Sequence, residues 1–217
     1  MTNEVRDSYD SVAKIVAPKQ LALAEAGADV LLSARTEAQL NEVAGRIEAL
    51  GRRAVVVPAD LSDLDSVAGL ADTAKAALGR VDIVVNNAGI LRDKAFHNMT
   101  PDLLNPVLDV HLKGAFYVTQ PAFVHMREQG YGRIISTSSA AGIFGNFGQP
   151  NYGAAKMGLV GFTRVLAVEG AKFNIKANAI APLALTRMTE TLMGNLADKL
   201  GPEEVTPIVA MLAHEDC

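Results

Sequence analysis

Three polar side chains in the stretch Ser138–Gly158 have types and spacing suited to proton transfer. Tyr152 and Lys156 are four residues apart, so on a helix they share one face with Cβ atoms about 6 Å apart. A phenol with a pKa of about 10 is a poor base at neutral pH, and a neighbouring ammonium lowers that pKa by stabilising the phenolate. Ser139 stands 13 residues before the tyrosine, just past a predicted strand, at the edge where open α/β sheets bind ligands. The alternative to a catalytic pair is an ordinary amphipathic helix, in which the tyrosine lies on the surface and the methylene groups of the lysine cover apolar surface.

The elements that must position these residues alternate between short β-branched runs and helical patterns. This alternation predicts a doubly wound, Rossmann-like parallel sheet between two helix layers, a three-layer α/β/α architecture. The predicted strands are Val12–Ala17, Asp29–Ser33, Ala54–Pro58, Asp82–Asn86, Gly132–Thr137 and Ile175–Ile180. The predicted helices are Gln20–Ala26, Glu37–Leu50, Leu64–Leu78, Pro101–Glu128 and Asn151–Ala171. Pro121 is expected to kink or break the fourth of these helices, because proline lacks the N–H and crowds the carbonyl of Tyr117.

Composition and charge exclude several classes of protein. The 217 residues are 49% hydrophobic and 20% charged, which predicts one domain over 1–217 with a sizeable core. The net charge of −4 and the lack of a basic run argue against nucleic-acid binding. The single cysteine, Cys217, excludes a disulfide framework. No signal peptide, membrane-spanning run, carboxyl-terminal Ser-Lys-Leu or spaced metal ligands are recognised, so we expect a cytoplasmic chain without a metal site.

Two further motifs flank the serine, tyrosine and lysine at the distances of successive strands. They are "VDIVVNNAG" at Val81–Gly89 and "IKANAIAP" at Ile175–Pro182. Together with Ser139 and Tyr152-x-x-x-Lys156, they resemble the short-chain dehydrogenase/reductase family. The resemblance implies an NAD(P)-dependent oxidoreductase that interconverts a secondary alcohol and a ketone of a small-molecule substrate. It also implies a homodimer or homotetramer built on the two long helices.

The resemblance assigns roles to individual catalytic residues. Tyr152 would be the general acid and base, and Lys156 would lower its pKa and hold the nicotinamide ribose. Ser139 would bind the substrate oxygen, with Ser138 as an adjacent competitor. The family's fourth member is usually an asparagine, and "DVHLKG" puts His111 in that position. This imidazole either anchors a water in a proton relay or packs beneath the site.

The resemblance also assigns residues to the cofactor. They are Asp60 and Leu61 at the adenine, the run Asn87, Ala88 and Gly89, Pro182, and again Tyr152 and Lys156. The second strand ends in Ser33-Ala34-Arg35 rather than in the acidic residue that binds the ribose of NAD. Arg35 can pair with the 2′-phosphate of NADP, so NADP(H) is favoured over NAD(H). The alternatives are a solvated Arg35 that starts the next helix and an Asp60 that caps the following turn.

Longer stretches point to particular branches of the family. "AGILRDKAF", "DVHLKGAFYVTQPAF" and "LTRMTE" resemble the (3R)-hydroxyacyl-CoA dehydrogenase domain of peroxisomal multifunctional enzymes, a group that also carries this histidine. The first ninety residues instead resemble 3-oxoacyl-carrier-protein reductases. Both branches act on 3-oxo/(3R)-hydroxyacyl thioesters, which are therefore the expected substrates. The polar segment 183–205 is expected to form a substrate lid.

The turn after the first predicted strand lacks an expected feature. The family's Thr-Gly-x-x-x-Gly-x-Gly turn should stand here, but the chain reads Ala17-Pro18-Lys19-Gln20 and is short by about ten residues relative to that fingerprint. The family's last strand is also missing. Either the sequence omits segments of a longer protein, or the chain is a variant with an impaired cofactor site. In the second case it would be a binding or scaffolding protein.

Overall fold

The computed structural model describes residues 18–182 and 201–217. The strands are β1 Val30–Leu32, β2 Ala54–Val56, β3 Ile83–Asn86, β4 Gly132–Thr137 and β5 Ile175–Ile180. The helices are α1 18–25, α2 Glu37–Ala49, α3 Leu64–Val67, α4 Leu70–Leu78, α5 Pro101–Leu108, α6 Gly114–Gln129, α7 Ala140–Phe144, α8 Pro150–Gly170 and α9 Thr206–Ala213. The predicted strand Val12–Ala17 and residues 183–200 of the predicted lid lie outside the described residues.

All described strand pairs are parallel, which confirms the predicted α/β class. β1 pairs with β2, and β4 pairs on one side with β3 and on the other with β5. The register aligns Asn86 with Ser136 and Thr137 with Ile180, so these three strands end side by side. Side chains that follow the carboxyl ends of β3, β4 and β5 are therefore brought to one edge of the sheet.

Helices cover both faces of the central strand β4. Ile134 packs with Met126 and Leu166, which belong to α6 and α8. The next residue, Ile135, points to the opposite face and packs with Leu23 of α1 and Val209 of α9. Because successive side chains of a strand alternate between faces, a continuous apolar run is expected where both faces are covered. The arrangement is three-layered, as predicted.

Two predicted helices are subdivided. The helix predicted over Leu64–Leu78 is interrupted, because Gly69 has a left-handed conformation with φ of 85° and begins a new helix. The helix predicted over Pro101–Glu128 consists of α5, a π-helical turn over Asp109–Lys113, and α6. The predicted break at Pro121 was wrong: α6 continues past the proline, with Thr119 and Ala122 on either side of it buried in the core. The π-helical turn before α6 carries His111.

A buried arginine joins β4 to the last described residues. Arg133 is fully buried, at 0% exposure, and its guanidinium lies 4.5 Å from the centre of the Tyr131 ring. It donates hydrogen bonds to the carbonyl oxygens of Asn174 at 3.1 Å, His214 at 3.1 Å and Glu215 at 2.7 Å. These bonds satisfy a buried charge and hold the end of α9 against the sheet.

Candidate active site

The start of α8 is anchored by a buried asparagine that sequence reasoning did not identify. Asn151 donates to the carbonyl oxygens of Arg92 at 2.9 Å and Leu103 at 2.8 Å, and its Oδ1 accepts from the Tyr152 amide at 2.8 Å. Pro150 occupies the first turn, where its missing N–H costs nothing. These hydrogen bonds hold the first turn of α8 in place and therefore fix the position of Tyr152. The only signal in the sequence was a polar residue directly before the tyrosine.

The two neighbouring serines have different roles. The Ser138 hydroxyl is buried and donates to the carbonyl oxygen of Lys156 at 2.7 Å, which ties α8 to the end of β4. Ser139 caps α7, where its hydroxyl accepts from the Ala141 amide at 3.2 Å. The Ser139 side chain also acts on the Tyr152 phenol, whose pKa it lowers. Ser138 is therefore engaged with the backbone of α8, and of the two serines only Ser139 affects the acidity of the phenol.

The acidity of Tyr152 differs from the expectation based on its spacing from Lys156. Burial raises the pKa of the phenol; the Ser139 side chain opposes this effect and the charge of Asp93 adds to it. The Lys156 ammonium lies 5.5 Å from the ring centre and donates to the Thr137 carbonyl at 2.7 Å. The net direction is upward, because burial penalises the phenolate. Tyr152 is consequently a protonated phenol at neutral pH.

The Lys156 ammonium is buried away from water and lies near a second positive charge, that of Lys19. Its side chain is buried, and burial followed by the charge of Lys19 lowers its pKa to about 7. Lys19, in the first turn of α1, donates a hydrogen bond to Asn87 Oδ1. Asn87 Oδ1 also accepts from the Thr137 hydroxyl at 3.1 Å. The amide of Asn87 thus connects the two lysines through the ends of β3 and β4.

His111 packs directly against the tyrosine. The two rings meet edge to face, with centres 5.2 Å apart. His111 Nε2 lies 2.9 Å from both the amide nitrogen and the carbonyl oxygen of Ile90, while Nδ1 is buried without a partner among the described residues. A Cβ on residue 89 would lie 2.2 Å from the imidazole Cε1, so glycine is required at Gly89. Burial, then the charge of Lys156, lowers the pKa of His111 to about 3.

The residues predicted to bind the cofactor's two ends line one cavity. The lining includes Arg35, Asp60, Leu61, Asn87, Ala88, Gly89 and His111. Asp60 accepts from the amide and the hydroxyl of Ser62 at 2.9 and 2.6 Å, so it does cap the following turn. Burial raises the pKa of Asp60, but these hydrogen bonds and the nearby charge of Arg35 outweigh burial and lower it.

Charged and polar side chains line part of this cavity. They include Arg35, Lys19 and Asn87, among many apolar residues. Pro182 follows β5 at the same edge of the sheet. Within residues 18–182 and 201–217 there is no group of acidic, histidine or cysteine side chains that could hold a metal ion. No helix of those ranges has the length and apolar character needed to cross a bilayer.

Comparisons with known proteins agree with this arrangement. Residues 20–198 match the family model described as short chain dehydrogenase. The chain is 49% identical over 181 residues to a Mycobacterium tuberculosis protein named as a short-chain type dehydrogenase/reductase, and covers 63% of it. It is 44% identical over 207 residues to the peroxisomal multifunctional enzyme type 2 of Mus musculus, covering 91% of this chain and 28% of that protein.

A solved structure agrees in fold as well as in sequence. The short-chain type dehydrogenase/reductase from Mycobacterium marinum superposes with a TM-score of 0.86 and is 32% identical; the match covers 95% of this chain and 85% of the other. The chain thus spans less than two thirds of the length of the curated relatives described above, but most of this solved structure.

Proposed function

The chain belongs to the short-chain dehydrogenase family of oxidoreductases, and from this premise we propose that it interconverts 3-oxo and (3R)-hydroxy acyl thioesters. The observation that carries the reaction is the pairing of Tyr152 with Lys156 one turn farther along α8, with the ammonium 5.5 Å from the centre of the phenol ring. The acyl thioester class follows from the motifs around His111 and from the likeness to multifunctional enzymes. The membership implies NAD or NADP as the cofactor.

Proton transfer is assigned to Tyr152. Because burial keeps the phenol protonated, Tyr152 can donate its proton to the substrate carbonyl oxygen during reduction, which leaves a phenolate. In the reverse direction the phenolate form accepts the proton of the alcohol, so oxidation requires prior loss of the phenol proton to solvent. The Ser139 hydroxyl donates a hydrogen bond to the same oxygen and stabilises the charge that develops there. A bound nicotinamide supplies or accepts the hydride. Lys156 and Asn87–Gly89 would hold its nicotinamide end, and Arg35, Asp60 and Leu61 its adenosine end.

The cofactor preference proposed here is NADP(H). Arg35 follows β1 and lines the same cavity as Asn87, and its charge already acts on Asp60. A guanidinium suits the bidentate recognition of a 2′-phosphate, which NAD lacks.

Replacing the phenol tests the proposed acid. Tyr152→Phe should lower kcat for a 3-oxoacyl thioester by about 10²–10⁴-fold, while the affinity for the reduced cofactor, followed by nicotinamide fluorescence, stays the same. Tyr117→Phe on α6 is the matched control and should keep full turnover. Activity of Tyr152→Phe within a few-fold of the parent would assign the proton to another group. A preference for simple ketones over thioesters would instead refute the substrate class alone.

A second candidate is a cofactor-free binding or scaffolding protein with the same fold. The observation that favours it is the Pro18-Lys19-Gln20 segment, which offers no glycine where the family's phosphate-binding turn stands. Titration with NADPH and NADH separates the two candidates. Saturable micromolar binding of either supports the enzyme, and no binding at millimolar concentration supports the second candidate.

Apolar surface on the two long helices supports the proposed homodimer or homotetramer. Phe116 of α6 stacks on Phe162 of α8 with ring centres 4.0 Å apart and stays partly exposed. On the same helix α8, Val165 and Val168 are exposed, the latter at 79%. Contiguous exposed apolar side chains are typical of interaction surfaces. Light scattering after gel filtration should give a dimer or tetramer mass, and a monomer would contradict this proposal.

A further inference from the structure

Two buried ammonium groups lie close together at the carboxyl edge of β3 and β4. Lys19 and Lys156 are each only 3% exposed, and the charge of the first acts on the second. Each donates to a neutral acceptor: Lys19 to Asn87 Oδ1, and Lys156 to the Thr137 carbonyl at 2.7 Å. Thr137 also donates to Asn87 Oδ1 at 3.1 Å, so the two lysines belong to one hydrogen-bonded group.

This group lacks a negative charge among the described residues. The ion pairs found in 18–182 and 201–217 use other cations, and none includes Lys19 or Lys156. A buried ammonium without a counter-ion is costly, and proteins ordinarily pair it. The cost is visible in both side chains: burial lowers the pKa of Lys19 to about 8, and that of Lys156 is lowered to about 7. An anion placed beside them would supply the missing charge.

The position of Lys19 identifies the anion. Lys19 stands in the segment where the family fingerprint has its glycine-rich turn, and it lines the cavity that also contains Arg35 and Asn87. A glycine-rich turn binds pyrophosphate through ordered backbone N–H groups. In this chain Pro18 has no N–H, whereas a lysine supplies a full positive charge at the same place.

We propose that Lys19 binds the pyrophosphate of the nicotinamide cofactor, in place of the glycine-rich turn that this chain lacks. This inference rests on the proposed function, because it assigns the cofactor's phosphates to that site. Lys156 adds a second positive charge nearby, and Asn87 orients the Lys19 ammonium. The phosphate contact is then mainly electrostatic, so it should weaken with ionic strength more than contacts made by backbone amides.

The experiment compares charge removal at Lys19 with charge removal elsewhere. Lys19→Met and Lys19→Gln both remove the charge, and the glutamine can still donate to Asn87. Lys172→Met removes an exposed lysine at the amino end of β5 and is the matched control. Binding of NADPH and NADH is followed by nicotinamide fluorescence, and binding of inorganic pyrophosphate by calorimetry. Circular dichroism and thermal midpoints show that each variant is folded.

We expect both Lys19 variants to weaken binding of reduced cofactor and of pyrophosphate at least tenfold, with Lys172→Met unchanged. Equal or tighter cofactor binding by both Lys19 variants would overturn the inference and leave the proposed function intact. If the parent chain binds pyrophosphate through Lys19 but neither cofactor, the anion site stands and the proposed function fails. If the parent binds neither cofactor nor pyrophosphate, both fail.

Discussion

Protonation of His111 should destabilise the protein in mildly acidic solution. The unfolded chain takes up this proton near pH 6.5, whereas burial lowers the folded pKa to about 3. The unfolded state therefore binds more protons between these values, and the free energy of unfolding falls as the pH drops below 6.5. At pH 5, which is 1.5 units below the unfolded pKa, the loss is about 2 kcal/mol. His111→Asn, which places the family's usual residue there, should remove this loss.

Urea unfolding at pH 5 and pH 7 measures the effect. Carboxylates with lowered pKa such as Asp60 lose their contribution only near and below pH 4. Asp93, whose pKa burial raises, and Lys156, with a pKa of about 7, also change protonation at mildly acidic pH, but both are present in the parent and in His111→Asn. The difference between these two proteins therefore reports on His111. His97→Asn, which changes an exposed histidine, is the control. If the parent and His111→Asn lose the same stability between pH 7 and pH 5, the imidazole is not held neutral by burial and the reasoning fails.

Three other substitutions test separate parts of the site and fold. Ser139→Ala should lower kcat about 10²-fold or more with cofactor affinity unchanged, whereas a larger loss in Ser138→Ala would reassign the hydroxyl. Arg35→Ala should raise the Kd of NADPH about tenfold or more and leave that of NADH nearly constant; equal losses for the two would remove the 2′-phosphate assignment. Arg133→Lys should lower the free energy of unfolding by about 2–4 kcal/mol in urea titrations, because backbone carbonyls lose their buried donor; a loss below about 0.5 kcal/mol would contradict that role.

Strand positions were the part of the fold that local sequence predicted best. β4 and β5 have the predicted bounds, and each follows shortly after a residue with positive φ, Gly130 and Asn174, which ends the preceding helical segment. The helix interrupted at Gly69 was not predicted, since its apolar periodicity continues across the glycine while the backbone does not. The π-helical turn over Asp109–Lys113 was also not predicted, because the helical pattern of the sequence continues through it. This turn carries His111, which contacts the Tyr152 ring and the Ile90 backbone.

The sequence predicted which residues form the candidate site, but it did not predict the direction of their pKa shifts. Spacing placed Tyr152 and Lys156 on one face of a helix, and they do share α8. Spacing also suggested that the ammonium lowers the phenol's pKa, yet burial raises it. The difference arises because the dielectric around a side chain depends on what other segments cover it, and a local pattern contains no information about that cover.

Lys19 shows why long-range packing decides what such residues can do. In the sequence it is a single lysine after a proline, and it has the pattern of a solvated residue at a helix start. Folding brings it against Asn87, 68 residues away, and close enough to Lys156 for their charges to interact. A solvated lysine is stable without a partner, whereas a buried ammonium is costly unless it is paired, and no ion pair of Lys19 is found within residues 18–182 and 201–217. Burial thus has opposite consequences for the two side chains. It keeps Tyr152 protonated and neutral, and it makes the Lys19 ammonium a candidate ligand for phosphate, because a bound anion would offset the cost of its buried charge.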